Sequence, residues 1–139
     1  MSKFLLTTVC AFGLLLSVAS AEEVEKELQK FEFTRWVPTG TKRTIWFLYG
    51  ANPDCSPWDL SEVRTTRSPE HGAVEIVPGE TFAQFAKDSV RANCNDKKIR
   101  SLNVSYKSFG GYLGPDEFDL LVLWPSGRAW EAHFRIIVR

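Results

Sequence analysis

The sequence predicts an all-β domain, an antiparallel β-sandwich of about seven strands. Short segments alternate apolar and polar residues with a period of two and are rich in β-branched and aromatic side chains. Gly, Pro, Asn and Asp recur between them at turn spacing, and no long helical pattern intervenes.

The first 21 residues stand apart. Lys3, the apolar stretch Phe4 to Val18 and the small residues Ala19-Ser20-Ala21 form the pattern of a secretory signal peptide cleaved after Ala21. The apolar part falls short of the roughly 20 residues a membrane span needs, and Glu22 and Glu23 follow at once. Cys10 lies within it without a lipobox. The expectation is a periplasmic or secreted chain with no membrane span after cleavage.

Cleavage leaves 139 − 21 = 118 residues, the size of one domain with a real core. Of 17 basic residues only Lys3 is lost, so the mature charge is 16 − 17 = −1. That balance excludes a nucleic-acid partner, which needs a clustered positive face. Lys97, Lys98 and Arg100 are the densest basic group and read as a solvated loop. The two remaining cysteines, Cys55 and Cys94, are expected to pair in an oxidising compartment. Closing that loop restricts the unfolded chain by about 4 kcal/mol.

Residues 22–30 form a charged lead-in in which Val24, Leu28 and Phe31 have helical spacing, enough for a short amphipathic turn or two. The sandwich domain is placed at 31–139. Phe31, Phe33 and Arg35 alternate with Glu32, Thr34 and Trp36; "RTIWFLYG" (43–50), "SEVRTTR" (61–67) and "GAVEIVP" (72–78) continue the pattern. "ANPDCSPW" is a loop carrying one cysteine, and "SPEHG" a tight reversal in which Gly72 is free to take positive φ. Residues 79–94 fit either an extended segment with a break or a helix of one or two turns, since Phe82, Phe85, Ala86 and Val90 share a helical face. "SLNVSYK" (101–107), "EFDLLVLW" (117–124) and "AWEAHFRIIV" (129–138) alternate clearly, the last two joined by a "PSGR" hairpin turn.

Gly110, Gly111, Gly114 and Pro115 precede a strand rather than a helix, which disfavours a phosphate-binding loop. They read as a crossover between two sheets, with Tyr112 folded over the end of the core and Asp116 bonding the amides of its own turn.

"SPEHGAVEIV" together with "NVSYKSFGGYLGPDEFDLLV" resembles bacterial immunoglobulin-like and cadherin-like modules, over about Arg64 to Val138. The resemblance implies an immunoglobulin-like sandwich and is nearly silent on activity. Ser108 stands where those modules usually have proline, the cysteine pair is foreign to them, and they occur in tandem arrays.

Calcium at Asp116, Glu117 and Asp119 would need six to eight oxygens, while side chains alternating across a strand do not converge. Copper or zinc would need His71 and His133 brought together by the fold. There is no G-x-S-x-G elbow and no H-E-x-x-H, and Ser126 has no base nearby in the chain. Of five tryptophans, most are expected in the core; Trp58, in a loop, and Trp36, opposite Phe31 and Phe33, are the candidates for a partner-binding surface. The expected function is thus an exported, non-catalytic, cofactor-free module that binds a protein or envelope component, the alternative being a periplasmic metal-binding protein.

Overall fold

The computed structural model describes residues 28–139, so the predicted signal peptide and most of the charged lead-in lie outside the described residues. Seven strands follow one another: β1 (Gln29–Val37), β2 (Arg43–Leu48), β3 (Glu62–Arg67), β4 (Gly72–Phe82), β5 (Lys98–Ser108), β6 (Gly114–Leu123) and β7 (Ala129–Val138). They form a four-stranded sheet of order β1-β7-β6-β3 and a three-stranded sheet of order β2-β5-β4. Phe118, Leu120, Val122, Phe134, Ile136 and Val37 of the first sheet pack on Ile45, Leu48, Leu102, Val104 and Tyr106 of the second in one core.

Several expectations need correction. The sandwich is not wholly antiparallel: β1 runs parallel to β7 from Gln29↔Trp130 to Val37↔Val138. This pairing also draws the strand back to Gln29, two residues before the boundary read from the alternation. Residues 79–94 contain no α-helix. β4 runs on to Phe82 through Pro78 and Gly79, and the irregular segment after it holds one 3-10 turn, Ala92–Cys94. Pro78 is tolerated because β4 is the edge of its sheet, where a missing N–H breaks no ladder. Gly72 does not take positive φ. Its small size is required instead, because a Cβ there would lie 2.5 Å from the Tyr106 ring and hydroxyl.

Three chain crossings between the sheets share one end. Residues 38–42, 68–71 and 109–113 carry β1 to β2, β3 to β4 and β5 to β6. In the last, Gly111 (φ 79°) and Gly114 (φ 130°) adopt angles that a β-carbon disfavours. Phe109 N donates to His71 O at 2.8 Å, Gly40 N donates to Ser108 Oγ at 2.8 Å, and the His71 ring stacks on Tyr112 at 4.0 Å.

Asp116 ties this end together; it bonds the neighbouring Glu117 amide, as expected, but most of its donors come from elsewhere. Its Oδ1 accepts from the amides of Glu70 and Glu117 and its Oδ2 from the amide of His71, each at 3.0 Å, while Tyr106 Oη donates to Oδ2 at 2.7 Å. The carboxylate is buried and bonded by four donors, as a charge removed from water must be.

Burial, and then the hydrogen bond to Asp116, raise the pKa of the Tyr106 phenol above its ordinary value of 10.0. The folded state therefore favours the neutral phenol. Its contribution to stability is full below pH 10 and is lost as the pH rises further, because the unfolded chain ionises first. Tyr106→Phe should cost about 1–3 kcal/mol at neutral pH in urea unfolding. The loss of stability above about pH 10 should also be shallower in the variant than in wild type, and parallel curves would refute the linkage.

Candidate functional site

An open groove of about 1210 Å³ lies at the opposite end of the molecule from the crossings, and its walls are aromatic. One wall is the N-terminal half of β1, whose inward face carries Phe31 and Phe33. The facing wall is Trp46 of β2. A register shift between Thr44 and Trp46 sets Trp46 opposite the inward-facing Val104 while Ile45 also stays buried, so the bulge turns two successive side chains inward. Trp130 and Trp124 form the floor, and the 125–128 hairpin and Trp58 close the end.

The rings form a continuous chain of contacts. Phe31 meets Trp130 edge-on at 4.9 Å, Trp46 meets Trp130 at 5.4 Å and Phe33 at 5.3 Å, and Trp124 links Trp130 at 6.5 Å to Trp58 at 6.2 Å. These separations suit edge and offset packing of aromatic quadrupoles. Part of the surface remains open, with Trp58 40% and Phe31 38% exposed.

Trp58 is held in place by its loop. Its amide donates to Gly50 O at 2.9 Å and its Nε1 to Asn52 Oδ1 at 3.0 Å. The indole lies directly on Gly50, where a Cβ would fall 2.1 Å from Trp58 Cε3. Asp54 accepts from Ser56 N and Oγ at 3.0 and 2.6 Å, which holds its carboxyl below the ordinary aspartate value. The Cys55–Cys94 disulfide, with Cα atoms 5.4 Å apart, fastens this loop to the segment after β4. From that segment Arg91 donates through Nε to Ala51 O at 2.6 Å and sets its guanidinium 5.4 Å from the Trp58 ring centre.

Trp36 does not join Trp58. It is 60% exposed, on the other face of β1, and borders a separate open cavity of about 480 Å³ with Arg35, Pro38, Arg43, Thr44, Ile45 and Arg139. Trp58 is not a lone loop aromatic: Trp46, Trp124 and Trp130, whose pattern points to the core, share its groove. All three do pack on the core, but they also line the groove.

The acidic and histidine candidates are engaged elsewhere. Both oxygens of Asp116 are taken by the crossings. Glu117 and Asp119 each pair with Arg67 at 2.9 Å, and His133 Nδ1 lies 2.6 Å from Asp119. His71, stacked on Tyr112, is not part of that cluster. Among the described residues no three His, Cys, Asp or Glu side chains are arranged to hold a metal ion, and no helix is long and apolar enough to cross a membrane.

No family model and no curated protein matches the sequence. Two solved structures share a weak likeness. One, the solution structure of Amebosin, is 12% identical over 81% of this chain and 99% of that one, with a TM-score of 0.40. The other, the endo-fucoidan hydrolase MfFcnA4 of glycoside hydrolase family 107, is 9% identical over 79% of this chain and 12% of that one, with a TM-score of 0.37. Neither likeness bears on what this chain binds.

Gly50→Ala should expel the Trp58 indole, shifting its Nε1–H resonance with an overall cost of about 1–3 kcal/mol. An unmoved resonance would contradict the placement of the ring. Replacing both Cys55 and Cys94 by serine should cost about 2–4 kcal/mol in urea unfolding and red-shift the tryptophan emission as the Trp58 loop loosens. Unchanged stability and emission would show that the bridge anchors nothing.

Proposed function

We propose that the chain is an exported, non-catalytic, immunoglobulin-like module that binds a protein or envelope component through the aromatic groove. The observation that carries this reading is the groove itself, where four tryptophans and two phenylalanines meet at one open end. Contiguous exposed aromatic surface marks interaction sites, and tryptophan is enriched where binding energy concentrates.

The lining also argues against a reaction. Among the described residues Arg128 is its one charged side chain, and Ser126 stands there with no histidine or carboxylate of those residues in the lining to activate it. The strand order supports the immunoglobulin-like reading. β3-β6-β7 and β2-β5-β4 correspond to the two facing sheets of that fold, with the first strand transferred to the side of the last. The cross-link between Cys55 and Cys94 supports export to an oxidising compartment.

Affinity capture from the native envelope with the mature domain should recover a partner, and Trp58→Ala should reduce recovery by about tenfold or more. Equal recovery by the two proteins would discard the groove as the binding site.

A further inference from the structure

We propose that the groove and the arginine-lined cavity form one docking seam that takes an extended, acidic segment of a partner protein as an added strand along the free edge of β2. This rests on the reading of the groove as a binding site and specifies its occupant.

The two cavities succeed one another along the same pair of strands. The aromatic groove borders Phe31 and Phe33 of β1 and Trp46 of β2; the second cavity borders Arg35 and Trp36 of β1 and Arg43, Thr44 and Ile45 of β2. Among the described residues both strands are sheet edges, because β1 pairs with β7 alone and β2 with β5 alone. Among the described residues, the outer edge of β2 receives one hydrogen bond, from Arg35 Nε to Ile45 O at 2.9 Å. Its remaining outward amides and carbonyls form a template for a further strand. An incoming segment would meet its main-chain hydrogen bonds on β2 and seat alternate side chains among the indoles.

Charge selects the occupant. Among the described residues, Arg35, Arg43, Arg128 and Arg139 line the two cavities, and no Asp or Glu does. The whole chain, by contrast, balances 17 basic against 17 acidic residues. Such a one-sided lining attracts an anionic partner and repels a basic one. An anionic polysaccharide would satisfy the arginines and indoles, but it would leave the β2 edge unused.

The test uses the mature domain and defined probes. These are a synthetic peptide of about eight residues alternating Glu and Phe, its Lys–Phe counterpart, two forms of the Glu–Phe peptide N-methylated on one or the other alternate set of amides, and dextran sulfate. The Glu–Phe peptide should bind, and it should protect outward β2 amides from hydrogen exchange. The Lys–Phe peptide and one N-methylated form should bind at least about tenfold more weakly, and Arg43→Glu should weaken binding by a similar factor while Arg100→Glu does not. Unfolding midpoints of both variants check that they are folded. The proposal is overturned if both N-methylated forms bind as well as the parent, if no peptide binds, or if dextran sulfate alone binds. In that last case a loss of dextran sulfate binding in Trp58→Ala would leave the groove intact as a site while removing strand addition. No binding by any probe, with unshifted indole resonances, would count against both.

Discussion

The buried carboxylate of Asp116 is the constraint on which the arrangement of the two sheets depends. It belongs to β6 in one sheet, accepts a hydrogen bond from Tyr106 in the other, and holds the amides of Glu70 and His71 in the crossing between them. A carboxylate without those donors would leave a charge buried and unpaired, at several kcal/mol. The correct docking of one sheet on the other is therefore the arrangement in which Asp116 is satisfied. Gly72 belongs to the same device, since the Tyr106 ring reaches Asp116 only by lying against a residue with no side chain.

The molecule thus has two unlike ends. At one, three crossings are hydrogen-bonded to one another and to Asp116. At the other, the β2–β3 and β4–β5 connections are long and irregular, and order comes from the disulfide, from Arg91 on Ala51, and from the paired bonds between Asn95 and Phe85 at 2.8 and 2.9 Å. Binding surfaces are commonly carried by such loops on a rigid scaffold. Here the bridge sits two residues before Pro57 and three before Trp58, so the covalent constraint is placed where an exposed indole would otherwise lose its orientation.

Much of this was legible in the sequence and some was not, for physical reasons. Alternation located all seven strands, because a strand with one face on the core must repeat every two residues. The even cysteine count located the bridge. Alternation says nothing of which neighbour a strand pairs with, so the parallel β1–β7 ladder was invisible. The strand read as 72–78 runs on through Pro78 to Phe82, because tolerance of proline depends on edge position, a property of the assembled sheet. The local bond of Asp116 to the Glu117 amide is legible from the turn, but its donors Glu70 and His71 lie 46 and 45 residues earlier, beyond any local rule. The groove was hidden for a similar reason. Trp46, Trp124 and Trp130 have the pattern of core residues and do pack against the core, and their outer surfaces become a groove only where β1, the 125–128 hairpin and the loop bearing Trp58 meet them.

The pairing of β1 with β7, and not with β2, links the fold to the proposed recognition. In an immunoglobulin sandwich of the seven-stranded kind the first strand lies on the sheet of the second and covers its edge. Here no strand of the described residues covers that edge, and an uncovered edge invites indiscriminate pairing unless it is guarded. The guards are visible: a bulge at Thr44–Trp46 disturbs the ladder, Arg35 occupies the carbonyl of Ile45, and Arg43 stands at the start of the strand. Two of these guards are cations. Displacing Arg35 from Ile45 O leaves its guanidinium in need of a new acceptor, and an incoming carboxylate supplies a charge-assisted one, stronger than the neutral carbonyl it replaces. The side chains that keep the edge from pairing with any extended chain therefore set the condition under which one class of chain can pair with it.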